Sequence, residues 1–120
     1  MKAVLMRQMR VVVTDTRQLE EMFEEVADAW GLSGAERDAV RGDALAGRGG
    51  RRRSAFISER MALVVEIDWL LCAHMDARQI RHWVRSRVAG VLGTSPLDDL
   101  VGSTDRLRRI RTMLSAELPQ

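Results

Sequence analysis

The sequence predicts an all-α fold of five to six helices, with an N-terminal arm or short strand before them. Apolar residues recur at steps of three and four over several stretches, which is the spacing of a buried helix face. Ser-x-x-Glu and related capping sequences precede three of these stretches. With 46% apolar and 30% charged residues in 120 positions, the chain has the composition of a globular domain or of two small lobes sharing a core.

The composition also excludes several protein classes. No run of about 18 uncharged apolar residues is present, so the sequence predicts no membrane span. Arg7 and Arg10 interrupt the apolar start, unlike a secretory signal. The single cysteine, Cys72, precludes an internal disulfide and is expected to be a core thiol in a cytoplasmic protein. The formal net charge is +2 and neither half is strongly basic, so any nucleic-acid binding requires a local patch.

Residues 1–57 are predicted to form a small lobe that contains a helix-turn-helix-like pair. Residues 1–14 end in Val-Val-Val-Thr and are expected to form the arm or strand. Asp15 or Thr16 then caps a helix that Gly31 ends. Ser33 and Glu36 form a capping box that begins a short second helix, which runs to Gly42.

Residues 42–54, GDALAGRGGRRRS, interrupt the helical pattern because glycine opposes helix formation. Two interpretations remain open for this segment, a solvated linker and a loop that binds phosphate. The candidate nucleic-acid-binding residues are Arg48, Arg51, Arg52 and Arg53. No aromatic residue lies between them, so base stacking is not indicated.

The second part, residues 58–120, begins with a central helix of about residues 59–74, which Ser58 opens. Its apolar residues cover most of the helix circumference, so we expect this helix to be buried on several sides. His74 and His82 have neither a second cysteine nor a carboxylate pair at ligand spacing, so no metal site is predicted.

Three further helices follow. Asp76 and Gln79 form a capping box for a helix that Gly90 and Gly93 end. Ser95 and Asp98 form a capping box for a short helix with Pro96 at its first position. Adjacent Asp98 and Asp99 are interpreted as charges favoured by the helix dipole. After Gly102, Ser103 or Thr104 caps the last helix, whose apolar positions are Leu107, Ile110, Met113 or Leu114, and Leu118.

Residues 83–102, WVRSRVAGVLGTSPLDDLVG, resemble the toxin-binding domain of the Xre/MbcA/ParS antitoxins. The family's Trp-hydrophobic pair and its Gly-x-Ser/Thr-Pro-Leu motif correspond here to Trp83, Gly93, Ser95, Pro96, Leu97 and Leu100. Arg60 matches the arginine of the family's central helix, and the similarity extends over residues 58–118. Two departures are Arg87-Val88 in place of Pro-Asn, and the glycine- and arginine-rich segment where a third helix of the DNA-binding module is expected.

The resemblance implies an antitoxin that binds and inhibits a RES-type toxin, an enzyme that consumes NAD or transfers ADP-ribose. It also implies that the C-terminal region obstructs the toxin, and the candidate toxin-binding residues are Arg106, Arg109, Met113, Leu118, Pro119 and Gln120. The sequence itself contains no nucleophile–base pair or paired catalytic carboxylates, so neither an enzyme nor a cofactor is predicted. The alternative is a helix-turn-helix regulator of its own promoter. The apolar central helix and arm further predict a homodimer.

Overall fold

The computed structural model describes residues 15–87 and 94–117, and these residues form six helices without a strand. The helices are α1 Thr16–Trp30, α2 Gly34–Arg41, α3 Gly50–Cys72, α4 Ala77–Val84, α5 Pro96–Leu100 and α6 Thr104–Glu117. The predicted all-α fold is therefore confirmed. The predicted arm or strand at residues 1–14 lies outside the described residues.

The long helix α3 is the centre of the fold, because α1, α2, α4 and α6 all contact it. Its buried residues span three sides of the helix, as its nearly continuous apolar sequence predicts. They meet one face of each neighbouring helix in a single core. The largest fully buried apolar side chains are Phe23, Trp30, Met61, Ile67, Leu71, Leu100, Leu107 and Ile110.

Short-range capping chemistry sets most helix ends where the sequence predicts them. The side chain of Asp15 caps α1, and Ser33 and Glu36 form the predicted capping box of α2. Gly31 and Gly42 end these two helices with φ angles of 72° and 79°, a conformation that glycine adopts without a steric penalty. Asp76 and Gln79 form the box that begins α4.

The start of α3 differs from the prediction, since the helix begins at Gly50 rather than near Ser58. Arg53 lies in the first turn of this longer helix. Its Nη1 atom donates hydrogen bonds to the carbonyl oxygens of Asp43 (2.9 Å) and Gly47 (2.7 Å), which holds the preceding loop against the first turn. Residue 57, the predicted boundary between the two parts, consequently lies within α3.

The end of α4 also differs from the prediction, because the helix stops at Val84 and not near Gly90. Arg85 leaves the helix and binds the preceding lobe. Its guanidinium donates hydrogen bonds to the Glu36 carboxylate at 2.8 and 3.0 Å and to the Gly31 carbonyl at 3.2 Å. A tertiary contact therefore overrides the helical pattern; Gly90 lies outside the described residues.

Cys72 is exposed, so its prediction as a core thiol is wrong. It is the last residue of α3, one turn after half-buried Asp68. Its thiol donates to Asp68 Oδ2 at 3.6 Å. The apolar sequence of α3 predicts burial around the helix, but it does not indicate which side the other helices leave open.

We predict that Gly42→Ala destabilises the protein, whereas Gly34→Ala does not. A Cβ atom at residue 42 would lie 2.7 Å from the Arg60 side chain, and φ is +79° there. The expected loss exceeds about 1 kcal/mol of unfolding free energy. At residue 34 nothing lies within 4 Å and φ is not positive, so alanine is expected to be neutral or stabilising. Urea denaturation of both variants measures the difference, and equal stabilities would contradict the prediction.

Candidate functional site

The residues of the antitoxin-like motif form the short helix α5 and its surroundings. Ser95 Oγ accepts a hydrogen bond from the Asp98 amide (3.1 Å), and Asp98 Oδ2 accepts one from the Ser95 amide (3.3 Å). Pro96 occupies the first turn and is buried, and Leu100 is completely buried. Leu97 and the α4 residue Trp83 are half-buried against the core. Gly93 lies outside the described residues.

Arg60 connects α3 to this motif. It is completely buried, and its guanidinium donates to the carbonyl oxygens of Leu100 (2.7 Å) and Gly102 (2.9 Å) and to Thr104 Oγ1 (3.3 Å). Its Nε atom donates to the carbonyl of Val40 at 2.9 Å. Carbonyls in the last turn of a helix have no partner within the helix, so one side chain here satisfies the ends of both α2 and α5.

The environment of Arg60 contains carbonyl and hydroxyl acceptors and an aromatic ring. Burial lowers the pKa of the guanidinium from its usual value. The guanidinium carbon lies 5.8 Å from the centre of the Phe56 ring, which is within the range of a cation–π contact. The sequence contains a signal for this role, because Arg60 shares the helical spacing of the buried residues Val64, Ile67 and Leu71.

Asp99 lies in the first turn of α5, as its interpretation as a helix N-terminal charge predicts, and it is also completely buried. Its Oδ1 atom accepts hydrogen bonds from Arg106 Nη2 (2.6 Å) and Nε (3.0 Å), and Thr94 Oγ1 lies 3.2 Å from it. Gly102 provides the space, since a Cβ atom there would lie 2.8 Å from the Arg106 side chain. Asp99 therefore joins α5 to α6, while Asp98 belongs to the capping box.

Most arginines of α6 bind acidic residues of the same chain. Arg106 binds Asp99, Arg108 binds Glu59 at 2.8 Å and Arg111 binds Glu66 at 3.2 Å. Arg109 is exposed and has no hydrogen bond or ion pair with the described residues. Of the other candidate toxin-binding residues, Met113 is half-buried against the core, whereas Leu118, Pro119 and Gln120 lie outside the described residues.

The four candidate nucleic-acid-binding arginines also divide into exposed side chains without a partner and one that binds its own chain. Arg48, Arg51 and Arg52 are exposed and have no partner among residues 15–87 and 94–117. Arg53 is half-buried and holds the loop before α3, as described above. We call Arg48, Arg51 and Arg52 the basic edge.

A second polar contact links α1 to α3. Trp30 Nε1 donates to Asp68 Oδ1 at 2.8 Å, and the Cys72 thiol approaches the other carboxylate oxygen. Burial raises the pKa of Asp68, although both hydrogen bonds partly oppose this effect. Within the described ranges, no group of three or more His, Cys, Asp or Glu residues could hold a metal ion.

Two shallow grooves border α4. One, of about 440 Å³, is lined by Arg85, Arg87, Thr94, Ser95, Leu97 and Asp98. The other, of about 450 Å³, is lined by Met75, Arg78, Gln79, His82, Trp83 and Ser86. Both are open to solvent, and this geometry is more typical of a contact surface than of an enclosed catalytic pocket.

Comparison of the chain with protein-family models, with curated proteins and with solved structures finds no match. Among the described helices, none is long and apolar enough to cross a membrane.

We predict that Arg60→Met lowers the free energy of unfolding by about 3–5 kcal/mol, because it leaves buried carbonyls without donors. Arg60→Lys should retain only part of the stability, since an ammonium group cannot reach acceptors on two helices with the guanidinium geometry. Urea denaturation measures both. Arg109→Met is the control and should change stability by less than about 0.5 kcal/mol. An Arg60→Met protein as stable as this control would contradict the assigned role.

The ion pair between Glu36 and Arg85 predicts a pH dependence. Hydrogen bonds from Arg85, followed by the bond from the Ser33 amide, lower the pKa of Glu36 from 4.5 to about 2. A lowered carboxylate pKa stabilises the fold above pH 4.5, and this contribution is lost as the pH falls toward 2. Arg85→Gln should raise the pKa of Glu36 toward 4.5, measured by carbon-13 NMR of the carboxyl group. The control Arg87→Gln should leave it unchanged; an unchanged value in Arg85→Gln would contradict the prediction.

Proposed function

We propose that the chain is an antitoxin, which binds and inhibits a RES-type toxin that consumes NAD or transfers ADP-ribose. The observation that supports this proposal most directly is the contact between Arg60 and the end of α5. Arg60 and the Ser95-Pro96-Leu97 motif are separated in sequence, and both belong to the resemblance to the Xre/MbcA/ParS family. Arg60 donates to the carbonyl of Leu100, the last residue of the helix that this motif begins. The two parts of the resemblance are therefore in contact through α5, which supports the proposal.

The chemistry of the described residues favours binding over catalysis. The two completely buried charged side chains, Arg60 and Asp99, both make several hydrogen bonds within the chain. Asp68 has a raised pKa, but the Trp30 indole binds its carboxylate. These groups therefore join helices, and their positions do not suggest a general acid or base aimed at a substrate.

The pairing of the arginines narrows the proposed toxin-binding surface. Arg106 is bound to buried Asp99, which gives it a structural role. Arg109 is exposed and unpaired within the described part of the chain, and Met113 lies one turn farther along α6. We therefore centre the surface on Arg109 and Met113, continuing into residues 118–120. An exposed arginine beside a partly buried methionine is typical of protein interfaces.

The second candidate function is autoregulatory DNA binding. The helix-turn-helix-like pair supports it weakly, because Arg37 of α2 binds Glu24 and Asp28, and Arg41 binds Asp38 and Asp43. With these arginines neutralised, α2 presents little positive charge to a phosphate backbone. The basic edge is the stronger candidate surface for DNA, and a salt-dependent affinity for the chain's own promoter would favour this function.

We predict that deletion of residues 116–120 abolishes toxin inhibition without unfolding the antitoxin. A terminal turn contributes little to the core, while the proposed inhibitory surface ends in this segment. The full-length and truncated chains are each mixed with a purified RES-type toxin, and NAD consumption is measured. Circular dichroism melting checks the fold. Arg109→Glu should weaken inhibition, and Arg17→Glu, at an exposed position on α1, is the matched control.

Three results would separate the alternatives. Absence of any inhibition by the full-length chain would contradict the antitoxin proposal. Full inhibition by the truncated chain would place the toxin contact elsewhere, with the grooves beside Trp83 and Ser95 as the next candidates. Equal inhibition by Arg109→Glu and Arg17→Glu would remove Arg109 from the contact surface.

A further inference from the structure

The basic edge has a counterpart of opposite charge on the same molecule. On α1, Glu20, Glu21 and Glu25 are exposed and have no partner in the described ranges. The other two acidic residues of this helix, Glu24 and Asp28, bind Arg37 of α2. We call Glu20, Glu21 and Glu25 the acidic face. Within the described ranges, the basic edge and the acidic face therefore each present three charged side chains without a partner.

The two charged surfaces are neighbours in the fold. Arg41 lies between them, since its guanidinium approaches Glu24 of α1 at 3.7 Å and Asp43 of the α2–α3 loop at 3.3 Å. Glu20 and Glu21 lie one turn before Glu24, and Arg48 follows in the same loop that contains Asp43. Adjacent surfaces of opposite sign can pair twice across a twofold axis, which closes a dimer and prevents open polymerisation.

The loop between α2 and α3 contains Arg48 and leads directly into the first turn of α3, where Arg51 and Arg52 lie. This loop is held in position and also presents an apolar side chain. Arg53 binds the carbonyls of Asp43 and Gly47, so the loop has a defined shape before any partner arrives. Within this loop, Leu45 is 57% exposed and is the one exposed large apolar side chain of the described residues. An apolar group among arginines favours a protein partner over a phosphate backbone.

We propose that a second copy of this chain docks here, with the acidic face of each copy against the basic edge of the other and Leu45 buried between them. The proposal does not depend on the antitoxin function. It also differs from the dimer that the apolar central helix suggests, because α1, α2, α4 and α6 of the same chain already pack on α3. Surface ion pairs are individually weak and screened by salt. The dimer should therefore dissociate as the salt concentration rises.

The test uses reversed charges on the full-length chain, with mass measured by sedimentation equilibrium over a range of protein concentrations. The wild type should form a dimer of 13.5 kDa chains at low salt. The variant Arg51→Glu/Arg52→Glu carries two acidic surfaces, and the variant Glu21→Arg/Glu25→Arg carries two basic ones. Each should weaken self-association at least about tenfold, since like charges then face each other. An equimolar mixture of the two variants should form a dimer again, because both contacts regain opposite charges.

The control variant is Arg78→Glu/Arg109→Glu, which changes the net charge as much as the reversal on the basic edge but at exposed positions of α4 and α6. It should dimerise like the wild type, and Leu45→Ser should weaken the dimer. A monomeric wild type at low salt, or a mixture that stays monomeric, would overturn the proposal. The proposal would also be overturned if Arg51→Glu/Arg52→Glu left the dimer unaffected and instead lost binding to duplex DNA or to the toxin. That result would assign the basic edge to DNA or to the toxin.

Discussion

The buried guanidinium of Arg60 is the interaction on which the arrangement of the helices depends. A buried charge is tolerated only when its hydrogen-bonding groups are satisfied, and this one has four oxygen acceptors, one at the end of α2 and three in residues 100–104. The same bonds satisfy carbonyls at the ends of α2 and α5, which would otherwise be buried without donors. Glycine at residue 42 follows from this arrangement, since φ is +79° there and a Cβ atom would collide with the side chain of Arg60.

Features determined within three or four residues could be predicted from the sequence. The capping boxes at Ser33, Asp76 and Ser95 and the glycine ends at Gly31 and Gly42 all match the predictions, because each requires only a side chain and a nearby amide or a positive φ. The number of helices follows from these signals together with the apolar spacing. In this chain, the capping residues and glycines between helices therefore predict the helix bounds better than helix propensity does.

Features determined by distant partners could not be predicted in this way. At the start of α3, Arg53 binds a loop up to ten residues earlier, and just after α4, Arg85 binds Glu36, 49 residues away. In the sequence, Asp99 is indistinguishable from any acidic residue at the start of a helix. Its role is defined only in the fold, where Arg106 lies beside it. The sequence indicates where arginines and carboxylates are, but their pairing requires the tertiary fold.

This pairing also separates structural arginines from those available to partners. Arg53, Arg60, Arg85 and Arg106 each hold together segments of the chain, whereas the basic edge and Arg109 have no such role in the described structure. The two available sets are apart, because α6 meets α3 at Glu59 and Glu66, beyond the first two turns that follow Arg51. Binding of a toxin through Arg109 would therefore leave the basic edge accessible. The proposed self-association and the proposed inhibition would then use different surfaces, one at the start of α3 and the other on α6 beside the middle of α3.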